Sequence, residues 1–166
     1  MVEKKLVIDA LRFNYTGMFD IEEFFKEIAD WTKENGYERD TKKKLQHVEQ
    51  DGKKIDYIFE LWKDITEDSR SVIRIRALMK DVIDFTLERG DSRRNMQKGH
   101  ILVIIDGFLE TDLEHRWEQK AWYIFVRTLW DKLVWRYWMS RYDGIVSAAS
   151  YKLYNKLYSY CKRYKV

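Results

Sequence analysis

The chain has 166 residues, 36% charged and 45% apolar, with 31 Lys/Arg against 28 Asp/Glu and a formal charge of +3. That mix fits a folded chain rather than a disordered one, and the length fits one domain, 1–166, burying roughly 70% of the surface the unfolded chain exposes. The single cysteine excludes a disulfide framework and points to a reducing, cytoplasmic setting. The longest clean apolar run, Ile101 to Ile105, falls far short of the ~20 residues a membrane span needs, and the start MVEKKLVID shows no signal-peptide pattern.

Lys4 to Tyr15 reads as a first strand. Asp20 then predicts a helix start: it is a good N-cap, Glu23 follows at N3, and Phe19 and Phe24 take the two staple positions. Ile21, Phe24, Phe25, Ile28 and Trp31 follow helical spacing, and Asn35-Gly36 supplies a left-handed stop. Thr41 to Glu49 is Lys-rich, as suits an edge strand that must avoid stray pairing. Asp51-Gly52 is a hairpin signal leading into Ile55 to Ile65. After a Glu67-Asp68-Ser69 turn, Ile73, Ile75, Ala77 and Met79 alternate with charged residues. The phase then shifts at Lys80-Asp81 before Ile83, Phe85 and Leu87, which means a tight turn or a bulge, the turn being favoured. Gly90 to Gly99 is polar and loop-like. His100 to Phe108 is apolar on both faces, as in a central strand covered on two sides.

Thr111-x-x-Glu114 is a capping-box pattern opening a long terminal helix, or a helix pair broken near Gly144, over 112–166. The predicted fold is therefore α+β: an antiparallel sheet of five or six strands, a short helix after strand 1, and a long C-terminal helix packed on the sheet. The chain has no proline, against about eight at average usage, so its turns fall to Gly, Asn and Asp.

This element order resembles the helix-grip (START/Bet v 1-like) superfamily, in which a curved sheet wraps a long C-terminal helix. The stretch carrying Asp106-Gly-Phe-Leu-Glu-Thr-Asp, Glu114-His-Arg-Trp-Glu and Arg127-Thr-Leu-Trp-Asp-Lys is similar to archaeal proteins of that topology, which bring no known activity. The resemblance implies an apolar cavity between sheet and helix. Two departures stand out: one helix rather than a pair follows strand 1, and no glycine-rich loop follows strand 2.

Glu114 to Val166 holds fourteen of the 26 aromatics and eleven Lys/Arg against four Asp/Glu, while the other 113 residues carry a balance of −4. Trp122, Val126, Leu129, Leu133 and Tyr137 share about 80° of helix arc and are predicted core. With Tyr57, Phe59, Ile75 and Phe85 from the sheet, Trp122, Val126, Leu129 and Leu133 would line a groove for an apolar small molecule. Ile124, Trp135, Trp138 and Tyr142 gather on the opposite side. They suit a second packed element, or an interface with a protein partner or a second copy. Beyond Gly144, Val146, Ala149, Leu153, Leu157, Tyr160 and Tyr164 line one side of an amphipathic tail. Arg127, Lys152, Lys156 and Arg163, interleaved with Tyr, could track RNA phosphates or snorkel around a packed helix.

Catalytic signals are thin. Asp106, Glu110, Asp112, Glu114, Glu118 and His115 cluster near the helix entry, but without metal-ligand spacing. His47 and His100 stand alone. Cys161 lies beside Lys162 and Arg163, which would lower a thiol pKa, yet no base partner is in view. No phosphate-binding glycine fingerprint occurs, so no catalytic residue, metal or cofactor is expected. The leading expectation is a non-catalytic binding protein for an apolar ligand. The alternatives are an RNA- or ribosome-associated protein and a homodimeric interaction module.

Overall fold

The computed structural model describes residues 2–111 and 136–165, apart from the side chains at 136 and 138. In chain order its elements are β1 (Glu3–Phe19), α1 (Ile21–Glu34), β2 (Glu38–Glu49), β3 (Gly52–Thr66), β4 (Ser69–Arg89), β5 (Ser92–Thr111) and α2 (Arg136–Arg163). The fold is α+β. Five antiparallel strands form one sheet in the order β1-β5-β4-β3-β2, with the C-terminal helix packed on it. β5 lies between β1 and β4; Ile101, Val103 and Ile105 are buried on its helix-facing side, while Leu102, Ile104 and Phe108 on the other face are half-buried. β2 lies at an edge, where almost all its side chains are exposed and its lysines block further pairing.

Two expectations about β4 and β5 need correction. No turn forms at Lys80-Asp81. β4 runs through as a bulge, with Asp81 at φ 53° and the register against β5 slipping between Lys80 and Ile83. Glycines on both neighbouring strands make room for it: a Cβ on Gly99 would lie 2.8 Å from the Lys80 carbonyl oxygen, and one on Gly52 would lie 2.9 Å from the Asp81 carbonyl carbon. This bulge makes the sheet five-stranded rather than six-stranded. Gly90 to Gly99 is not a loop either. β4 continues to Arg89, β5 starts at Ser92, and the reversal takes only Gly90-Asp91. The hairpin tip is solvated on both faces, so it shows no apolar alternation. β1 also runs further than the sequence suggested, to Phe19.

Local chemistry sets the ends of α1. The Asp20 side chain accepts from the Glu22 and Glu23 amides, Phe19 and Phe24 are fully buried, and Gly36 takes φ 68° after Asn35. The Asp20 N–H is not bonded to the Glu23 side chain as a capping box would have it. It donates to the Tyr160 hydroxyl at 3.1 Å, and that hydroxyl donates back to the Asp20 carbonyl at 2.8 Å. The first turn of α1 is thus tied to the last turns of α2.

α2 continues unbroken through Asp143-Gly144 and buries Val146, Leu153, Leu157 and Tyr160 against the sheet and α1. It approaches β5 at Gly107, where a Cβ would meet Ser150 Oγ at 2.8 Å and Val146 Cγ1 at 3.0 Å. Beside that crossing, β1 bulges at Ala10 (φ 46°). The bulge is pinned by the buried Asp106, whose carboxylate accepts from the Ala10 amide at 2.9 Å and from the Arg76 guanidinium at 2.8 Å.

Candidate functional site

Between the sheet and the described helices lies a packed core. Phe59 and Ile75, expected to line a groove, belong to a core shared with Phe24, Ile28, Leu153, Leu157 and Tyr160. Tyr57 is half-buried at the margin, its ring 4.4 Å from Phe25 and stacked 5.7 Å from Phe59. Phe85 lies elsewhere. It lines a polar cleft of about 630 Å³ between the start of α1 and the β4–β5 hairpin, with Asp20, Glu22, Asp84, Arg94 and Gln97. The other groove residues, Trp122, Val126, Leu129 and Leu133, lie outside the described residues, as do Arg127, Ile124 and Trp135. Trp138 falls within α2 without a described side chain, and Tyr142 is half-buried.

Most polar groups in that cleft already have partners. Asp84 is bound by Lys53 and by Gln97, and the hydrogen bond from Lys53 chiefly holds its carboxyl below the usual range against some burial. Arg94 bridges Asp20 and Glu23. On the far face of the sheet, Glu60 takes Arg74, Lys42 and Lys4. Burial works against its ionisation, but the Arg74 hydrogen bond and the neighbouring cations outweigh it and lower its pKa.

α2 presents two chemically different flanks. Toward α1, Lys156 lies 3.2 Å from Glu34 and 3.8 Å from Glu27, and Arg163 lies 2.8 Å from Glu27. Tyr164 donates to Glu23. Two of the cations proposed for RNA are therefore engaged by α1's acids. Sequence spacing could not show this, because it does not reveal that α1 lies alongside.

The outward flank spans about 140° of arc at 100° per residue and about 38 Å of axis. Its exposed side chains run from Tyr137, Arg141 and Ile145 through Tyr151, Lys152 and Tyr158 to Lys162, with no Asp or Glu among them. Tyr137 was expected in the core, yet it is 73% exposed; Tyr151 is 48% exposed. The inward stripe of α2 is the Val146-to-Tyr160 set, and Tyr137 lies off it. Tyr158 has less freedom, stacked 5.9 Å from Tyr154 with the Lys162 ammonium 4.5 Å from its ring centroid. The helix's one acid, Asp143, sits to the side and takes Lys5. The clue missed from sequence was this sorting of one basic, tyrosine-rich helix into a neutralised flank and one whose exposed helix residues include no acid.

Catalytic geometry is sparse among the described residues. Cys161 is buried, and burial pushes its thiol up to about 12, correcting the expectation that neighbouring Lys and Arg lower it. The reason is direction: Lys162 and Arg163 are exposed while the sulfur faces the core. His100 bonds Thr16 at the surface at 2.7 Å. Of the acidic cluster, Asp106 and Glu110 bind Arg76 and Lys4. No three His, Cys, Asp or Glu side chains converge as metal ligands among the described residues, and none of the described helices is long and apolar enough to cross a membrane.

No protein-family model, no curated protein and no solved structure matches the chain, so its function has to be read from its own surfaces.

Proposed function

We propose that this chain is a non-catalytic binding protein that works by surface contact through α2, with RNA as its partner. The supporting observation is the outward flank of α2, where exposed Tyr137, Tyr151, Lys152 and Lys162 meet no carboxylate among the described residues. An acid-free cationic surface attracts a polyanion by releasing its counterions. It disfavours a second copy of itself, since a homodimer through this flank would bring like charges together. A reducing compartment such as the cytoplasm fits the one buried, unpaired thiol.

Anisotropy of labelled single-stranded RNA tests the reading. Binding is expected at about 50 mM salt and should weaken steeply toward about 200 mM. Lys152→Ala should lower the slope of log affinity against log salt by about 1. A protein that binds no RNA at low salt overturns the proposal.

A second reading, an apolar ligand between sheet and helices as in the helix-grip superfamily, has two supports. The first strand lies beside the last, as that topology requires, and the Phe25–Tyr57–Phe59 cluster is half-open at the sheet margin. Apolar ligands would then raise the melting temperature, and Tyr57→Ala should abolish that rise. A melting point unmoved by a broad apolar set sinks this reading.

A further inference from the structure

Resting on the RNA reading, we propose that α2 selects unpaired strands, with bases stacking on Tyr137 and Tyr151. Both rings are solvent-exposed, and neither has a ring or cation–π partner among the described residues. They stand fourteen positions apart, about 21 Å along the axis and within about 40° of each other around it. Nearest the line between them lie Ser140, Gly144 and Ala148, and a Cβ added at Gly144 meets nothing within 4 Å. The larger exposed Arg141 and Ile145 stand about 40° and 80° to one side of Tyr137, so among the described residues the line from ring to ring carries only small side chains. Lys152 and Lys162 lie on the same flank without an acidic partner among the described residues and would meet phosphates.

Charge alone does not distinguish one polyanion from another. The free rings do, because every unpaired base offers a π-face and a duplex keeps its π-faces stacked inside. Lys and Tyr thus have separable tasks: the cations set salt dependence, and the rings set preference for single strands.

The experiment compares a single-stranded RNA of about ten nucleotides, a duplex of the same length, heparin and anionic vesicles, using the whole chain. The single strand should bind tightest. Tyr137→Ala and Tyr151→Ala should each weaken it by about 5- to 150-fold, the range one stacked base is worth. Heparin and duplex binding should stay as in the wild type, and Tyr→Phe at either position should restore binding because the ring is kept. Both positions are exposed, so an unchanged melting curve serves as the folding control. If RNA binds but the alanine variants match the wild type, or the duplex binds equally well, this inference falls while the RNA reading stands. If only vesicles or heparin bind, both fall.

Discussion

The two flanks of α2 use the same residue types to opposite ends. Toward α1, Tyr160 closes a two-way hydrogen bond with the Asp20 backbone, Tyr164 reaches Glu23, and Lys156 and Arg163 meet Glu27. Outward, Tyr137, Tyr151, Lys152 and Lys162 are exposed and meet no acid among the described residues. A Lys/Tyr-rich helix is therefore neither a binding surface nor a packed helix by composition. The element lying alongside decides, residue by residue, which polar groups remain available.

The sharpest test of that contrast is tyrosine truncation on each flank. Tyr160→Ala empties a fully buried site and orphans the Asp20 amide and carbonyl. It should cost about 3–5 kcal/mol in urea or thermal unfolding. Tyr160→Phe keeps the ring and should cost about 1–3 kcal/mol through those unpaired groups. Tyr151→Ala should stay within about 0.5 kcal/mol. Equal losses at positions 151 and 160 would erase the distinction between the flanks.

Glycines on either side of the α2 contact make the same comparison at smaller scale. A Cβ at Gly107 presses on Val146 Cγ1 at 3.0 Å and Ile8 Cβ at 3.2 Å, so Gly107→Ala should destabilise by about 1–3 kcal/mol. Gly144 faces open space within a helix, so Gly144→Ala should stabilise by up to about 1 kcal/mol. Opposite signs in unfolding free energy are the expected result.

Alkaline pH probes the inner flank, together with Tyr15, Tyr37 and Cys161, whose pKa values burial also raises. Burial is the main cause that raises the Tyr160 and Tyr164 hydroxyls above the ordinary value of 10.0, outweighing the Asp20 backbone bond at Tyr160 and reinforced by Glu23 at Tyr164. A pKa raised on folding contributes stability that is full below the unfolded value and is lost as pH climbs past it. The melting temperature should thus fall as pH rises through 10.0, and Tyr160→Phe should flatten that fall.

The sequence showed most where structure is set by neighbours along the chain. Asp20, the Phe19/Phe24 pair and Asn35-Gly36 marked α1 because caps are local chemistry, and Asp51-Gly52 marked the β2–β3 hairpin for the same reason. Val146 through Tyr164 was readable as a buried stripe because 3.6-residue spacing is also local. The bulge at Asp81 was not, because a phase shift has the same signature in a bulge and in a turn. What decides it is space lent by Gly52 and Gly99 on other strands. Tyr137 was assigned to the stripe beginning at Trp122, and only the placement of α2 shows it facing water. The charge on α2 was visible, but its division between a paired and an unpaired flank needed the position of α1.

That division can be shifted with a single change. Glu27 sits between Lys156 and Arg163 and partly neutralises both. Ion pairs at a part-exposed edge such as this contribute little, so Glu27→Gln should lower stability by about 1 kcal/mol, less at high salt. The same change removes a negative charge beside α2 and releases Arg163, extending the cationic surface toward α1. RNA affinity should then rise modestly, and the salt slope should steepen by about 1 as a further phosphate is met. An affinity that falls, with folding intact, would mean that Glu27 positions these cations for RNA rather than occupying them. The two flanks would then be one surface.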